Sequence, residues 1–90
     1  MPHIEPPKDI RSVWDDDGDS DRFTVVLNGY PTSKPGLFAC LGLNMLPEHP
    51  QYGISQFCEC KEGTHLGRKV SFRYLPLNVQ NHVIKRLENN

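Results

Sequence analysis

Only one stretch of this chain can make a helix long enough to cover a sheet, and it comes last. After Pro76, the residues Val79, Val83, Ile84 and Leu87 fall at i, i+4, i+5 and i+8, an apolar stripe of helical period. Proline suits the first turn, where its missing N–H has no partner to lose. Lys85 and Arg86 complement the dipole at the far end, and Asn89 can end the helix. Asn78, Asn81 and His82 face away from the stripe, as do Lys85 and Arg86.

The other apolar segments are short and have strand character. Ile10 to Trp14 can form a short strand, and Arg22 to Asn28 a clear one, with Phe23, Val25 and Leu27 alternating with polar neighbours and Val26. The polar turn 15–21 joins them as a hairpin. Leu37 to Leu43 is apolar throughout, which suits a strand buried on both faces. Ile54 to Cys60 and Arg68 to Tyr74 complete the set; in the latter Val70, Phe72 and Tyr74 alternate with Lys69, Ser71 and Arg73. Gly29 to Gly36, Asn44 to Gly53 and Lys61 to Gly67 are loops broken by glycine or proline. Residues 1–9, with three prolines, read as a flexible N-terminal arm, leaving 10–90 as a single domain.

The fold expected is therefore α+β: an antiparallel sheet of four to five strands with one C-terminal helix packed on one face. Phe23, Val25, Leu27, Val70, Phe72 and the helix stripe should form its core. At 90 residues that core is near the lower limit for folding unaided.

No apolar run approaches the ~18 residues a membrane span requires, and the N-terminus lacks the apolar stretch of a signal peptide. A cytoplasmic location is expected. Three cysteines cannot all pair, and a reducing compartment would leave them as thiols, so disulfide stapling is the poorest reading. The net charge of −1 conceals an asymmetry: residues 1–30 hold three basic groups against seven acidic ones, residues 61–90 six against two. Such a split can steer a partner or neutralise itself on folding.

The hairpin Val13-Trp14-Asp15-Asp16 … Arg22-Phe23-Thr24-Val25-Val26, the loop Asn44 … Pro47-Glu48-His49-Pro50-Gln51 and the ending Leu66-Gly67-Arg68-Lys69-Val70-Ser71-Phe72 … Leu75-Pro76 … Val79-Gln80 resemble small uncharacterised proteins of bacteria and their phages. The resemblance spans most of residues 12–87. That group has no settled activity, so the resemblance implies a cytosolic accessory protein and transfers no site residues.

Cys40, Cys58, Cys60 and His65 are the one set of soft ligands that could hold zinc. The spacing of Cys58 and Cys60 is tighter than the usual pairs, and the competing reading places both with Ile54 on the inward face as small core residues. A thiolate–imidazole pair with His65 lacks an accompanying oxyanion motif. The acidic turn fails the calcium-loop pattern, because Thr24 stands where the bidentate glutamate belongs. No cofactor and no catalytic residue is assigned.

Surface binding is the better expectation. With the helix on one face, the opposite face should present Arg22, Thr24, Lys69, Ser71 and Arg73, a basic surface for an acidic protein or, alternatively, a nucleic acid. The proline-stiffened loop 44–53, with Glu48, His49 and Tyr52, is the second surface; it can project toward a partner or pack over an open sheet edge. The sequence thus points to a non-enzymatic interaction protein, monomer or homodimer, binding a protein through Arg22, Lys69, Arg73, Glu48, His49 and Tyr52. A small zinc-stabilised module is the remaining alternative.

Overall fold

A computed structural model describes residues 9–18 and 22–88 of the chain. Nearly all of the expected N-terminal arm, residues 19–21 of the acidic turn and the Asn89 helix end lie outside the described residues. Five strands form one antiparallel sheet: β1 Ile10–Asp15, β2 Phe23–Leu27, β3 Phe38–Leu43, β4 Ser55–Cys60 and β5 Arg68–Val70. The helix α1, Leu77–Glu88, follows them. In space the order is β4-β3-β2-β1-β5, so β1 to β4 are a simple meander and β5 returns to the opposite edge beside β1.

Period-two alternation sorts the strands' side chains onto two faces. Val13, Phe23, Val25, Leu27, Leu41 and Leu43 meet Phe72, Leu75, Val79 and Val83 beneath the helix, with Val70, Ile84 and Leu87 at the margin. This is the α+β core expected from the sequence. At about 2 kcal/mol for each large apolar side chain buried, it supplies the main driving force for folding. Leu41 and Cys40, adjacent in β3, are both fully buried, so that strand is covered on both sides.

Part of the far face is covered, which differs from the open basic surface expected from the sequence. Trp14, Val26 and Cys40 form a second, smaller core there, flanked by Phe38, Cys60 and Leu66. Segment 61–67 supplies the cover, because it must carry the chain from one edge of the sheet to the other. Four inter-strand spacings of about 4.8 Å make about 19 Å, and the eight steps from Cys60 to Arg68 reach at most about 27 Å. The crossing is short and contains one 3₁₀ turn, Thr64–Leu66. The Trp14 indole N–H donates to Ser12 Oγ at 2.8 Å, and that hydroxyl donates to Glu62, which also pairs with Arg11 at 3.0 Å. Gly67 ends the crossing at φ 112°, where an added Cβ would stand 2.5 Å from the Asp15 carbonyl oxygen. Only glycine lets the chain pass so close to β1.

The last expected strand is shorter than its alternation implied. Pairing with β1 stops at Val70, and Phe72–Tyr74 is a 3₁₀ turn whose entry is capped by Ser71 Oγ accepting the Tyr74 N–H. The chain must leave the edge there to bring α1 over the sheet. Phe72 therefore reaches the core from a turn, and Arg73 is not on the sheet at all. Gln80, buried at the base of α1, donates to the carbonyls of Leu75 and Arg73 and holds this corner.

The cysteines also depart from expectation. Cys40 and Cys60 are joined by a disulfide between β3 and β4, with Cα atoms 6.5 Å apart. Residues i and i+2 share a face within a strand, which made Cys58 and Cys60 unsuitable for each other; it did not exclude a bond to the neighbouring strand. Register places Ser55 and Phe57 on the helix side of β4 and Gln56, Cys58 and Cys60 on the other, so Cys58 is exposed rather than inward.

Candidate functional site: a groove between loop 44–53 and the helix

Loop 44–53 is built on two side chains that replace missing backbone partners. Asn44 Oδ1 accepts the N–H groups of Leu46 and Ile54, while its amide donates to the Tyr52 carbonyl at 2.6 Å. His49 Nδ1 accepts the N–H groups of Gln51 and Tyr52 at 3.1 and 3.0 Å, and its ring packs 4.9 Å from that of Tyr52. Gly53 closes the loop: a Cβ there would meet the carbonyl oxygens of His49 and Pro47 at 2.5 and 2.7 Å. The loop is thus held in one shape before anything binds.

Three contacts tie it to α1. Asn78 donates to the Met45 carbonyl at 2.9 Å, Glu48 accepts from His82 Nδ1 at 2.9 Å, and Lys85 stands 3.8 Å from the same carboxylate. His82 and then Lys85 hold the Glu48 carboxyl below its usual range. Between loop and helix lies a cleft of about 420 Å³ lined by Leu46, Pro47, Glu48, His49, Asn78, Asn81 and Lys85. Leu46, in its lining, is 55% exposed; Tyr52, packed on the lining residue His49, is 70% exposed, and exposed Leu77 and Met45 adjoin the lining residues Asn78 and Leu46 in the chain. Single exposed apolar residues are ordinary, whereas several gathered around a preformed cleft mark a contact surface.

The sequence placed His82 on the polar side of α1. In the structure it is buried, with Nε2 2.6 Å from Ser55 Oγ and Nδ1 on Glu48. Because an ionised carboxylate can only accept, Nδ1 carries the proton, and in the neutral ring Nε2 accepts from the serine hydroxyl. A serine–histidine–carboxylate chain is the arrangement of hydrolytic triads, but here its most open member is the carboxylate and the cleft lies at that end. The chain fastens loop, helix and β4 together. No sequence signal marked it, since its three residues are 27 and 34 positions apart.

The predicted binding residues separate into two groups. Glu48, His49 and Tyr52 come together in this loop. Arg22, Lys69 and Arg73 do not form one face. Arg22 grips buried Asp15 through two bonds, Nε to Oδ1 at 2.9 Å and Nη2 to Oδ2 at 3.1 Å, and reaches Asp17 as well. Lys69 lies opposite Trp14 in the β1–β5 ladder, and Arg73 stands on the 3₁₀ turn beyond β5. Asp15 further accepts from the Tyr74 hydroxyl at 2.8 Å and the Asp17 N–H at 2.9 Å, with Arg68 3.8 Å away. The Arg22 guanidinium is the main cause that holds the Asp15 carboxyl down at about 2. The sequence-level charge asymmetry is thus partly neutralised within the fold.

His65 is exposed on the crossing segment, and the Cys40 and Cys60 sulfurs are bonded to each other, so the ligand set of the zinc alternative is not assembled. Among the described residues, no three His, Cys, Asp or Glu side chains are placed to share a metal ion. No helix among them is long and apolar enough to cross a membrane.

Fold and site together define a small α+β domain with a preformed groove between one loop and its single helix. No protein-family model, curated protein or solved structure matches the chain.

Proposed function

We propose that this chain is a small, non-enzymatic accessory protein that binds another protein in the groove between loop 44–53 and α1. The observation that carries the reading is the exposure of Leu46 in a cleft whose walls are already fixed, with exposed Leu77, Met45 and Tyr52 on the same loop and helix. Aromatic and aliphatic anchors in a rigid setting lose little entropy on binding, which is where interface energy concentrates. Glu48, His49 and Lys85 form the polar rim that orients a partner. The groove is favoured over the basic-face alternative for nucleic acid because Arg22 is engaged with Asp15 and Arg73 stands on the 3₁₀ turn beyond β5. A cytosolic setting, implied by the resemblance to bacterial and phage proteins, belongs to the same proposal.

Leu46→Glu combined with Leu77→Glu tests the groove. Both side chains are already in water, so the melting temperature should stay within a few degrees. Proteins captured from native cells by the wild type and quantified by mass spectrometry should include at least one that falls more than tenfold with the double variant. Its affinity should change by less than about threefold between 50 and 300 mM salt, unlike phosphate binding, which falls steeply. Equal capture by the wild type and the folded double variant would refute the assignment.

A further inference from the structure

Three cysteines share one face of two neighbouring strands, and the chain can close only one bond among them. The register sets Cys40 directly opposite Cys58, yet the disulfide runs diagonally to Cys60. Directly opposed residues in an antiparallel ladder have Cα atoms about 4.5–5.5 Å apart, within the range a disulfide accepts. The observed diagonal, at 6.5 Å, lies near the upper end of that range. Cys40 therefore has two partners at bonding distance, one taken and one adjacent.

We propose that Cys40, Cys58 and Cys60 form a thiol–disulfide exchange site in which the bond moves along β4. The Cys58 thiolate attacks Cys40 Sγ, and a Cys40–Cys58 bond forms as the Cys40–Cys60 bond breaks. The electron pair leaves on the Cys60 sulfur, which takes up from solvent the proton that Cys58 released. Two thiol-level electrons move from one sulfur to another, so no oxidant or reductant is consumed.

The fold supplies what the step needs. Cys40 is fully buried and held in the second core, so it stays in place while its partners change. Cys58 is exposed, where a thiolate can form. Attack must come along the S–S axis, whereas Cys58 and Cys60 lie side by side on one strand, so β4 has to lift and shift. It is the edge strand, paired on one side only, so lifting its Cys58–Cys60 end breaks one ladder and the two hydrogen bonds from Ser33 to Glu59. The exchange also has a structural result. A bond at Cys60 anchors the start of the crossing segment 61–67; a bond at Cys58 releases that segment and exposes a different thiol.

Disulfide-bonded protein, free of added reductant and held at low micromolar concentration between pH 6 and 8.5, is quenched at intervals with N-ethylmaleimide. A glutamate-specific protease cuts after Glu59 and separates the two candidate thiols for mass spectrometry. Exchange predicts a tag divided between Cys58 and Cys60. Its rate of appearance on Cys60 should be independent of protein concentration and rise about tenfold per pH unit while thiolate is scarce. A tag confined to Cys58 at every pH and time overturns the proposal, as do three tagged cysteines. Cys60→Ser provides a second test, because its circular dichroism reports directly whether it has folded. Treated with oxidised glutathione, folded Cys60→Ser should close a Cys40–Cys58 bond; two thiols persisting in the folded variant would overturn the proposal as well.

Discussion

Asp15 is the one carboxylate in the described residues with no solvent exposure, and replacing it with asparagine should cost a measurable share of the stability of the domain. Its two oxygens receive Arg22 side-on, the Tyr74 hydroxyl and the Asp17 N–H, so one charge joins β1, the hairpin turn and the corner after β5. Holding its pKa at about 2 rather than 3.8 corresponds, at about 1.4 kcal/mol for each pH unit, to about 2–3 kcal/mol. The sign follows from the depression: the contribution is complete above the unfolded value of 3.8 and disappears as pH falls through about 2. Asp15→Asn removes it at every pH and leaves the Arg22 guanidinium without its main partner. Breaking a fully buried pair costs about 3–5 kcal/mol, but Arg22 is 28% exposed and can turn to water and Asp17, so about 2–3 kcal/mol is expected. Urea denaturation at pH 7 should show that loss with an unchanged m-value. Between pH 4 and 2 the wild type should lose stability and the variant should lose less. A loss below about 0.5 kcal/mol, or identical acid limbs in both proteins, would refute the account of this cluster.

Gly53→Ala forces a methyl group against the carbonyls of His49 and Pro47, so the loop must open; about 1–3 kcal/mol of stability should go, and groove binding with it, by calorimetry and titration. Glu62→Gln weakens the link from Ser12 and Arg11 to the crossing segment; Trp14 emission should shift to longer wavelength as water reaches the indole, with about 1 kcal/mol lost in denaturant. Phe72→Ala should cost about 3–5 kcal/mol and leave the protein largely unfolded at 37 °C, as circular dichroism would show. An unchanged melting temperature would contradict its place in the core.

The parts of the fold readable in the sequence are those set by local periodicity. Phe23, Val25 and Leu27 repeat every second residue and Val79, Val83 and Leu87 every fourth, and each set lands on the predicted face. What escaped was set by non-local pairing. That β5 lies beside β1, not β4, is not written in either strand, and this placement sends 61–67 across the far face and covers part of it. The same is true of Cys40: its bond to Cys60 depends on the register of two strands, not on spacing along one. Arg22 looked like surface charge because its buried partner sits seven residues earlier. Within the groove, Pro47 and Pro50 announced a stiff loop, but the burial of His82 required knowing that β4 passes beneath α1.

The crossing from β4 to β5 also orders events in time. The meander of β1 to β4 closes through short loops, so its pairings cost little chain entropy, whereas β5 must find a strand more than fifty residues back. Loop-closure entropy therefore places that meeting after the meander, and it draws the connecting segment over the only tryptophan in the chain. Fluorescence in a refolding experiment would therefore lag behind the appearance of sheet in circular dichroism. Trp14 is a clock hand for the final act of assembly, silent until the last strand arrives.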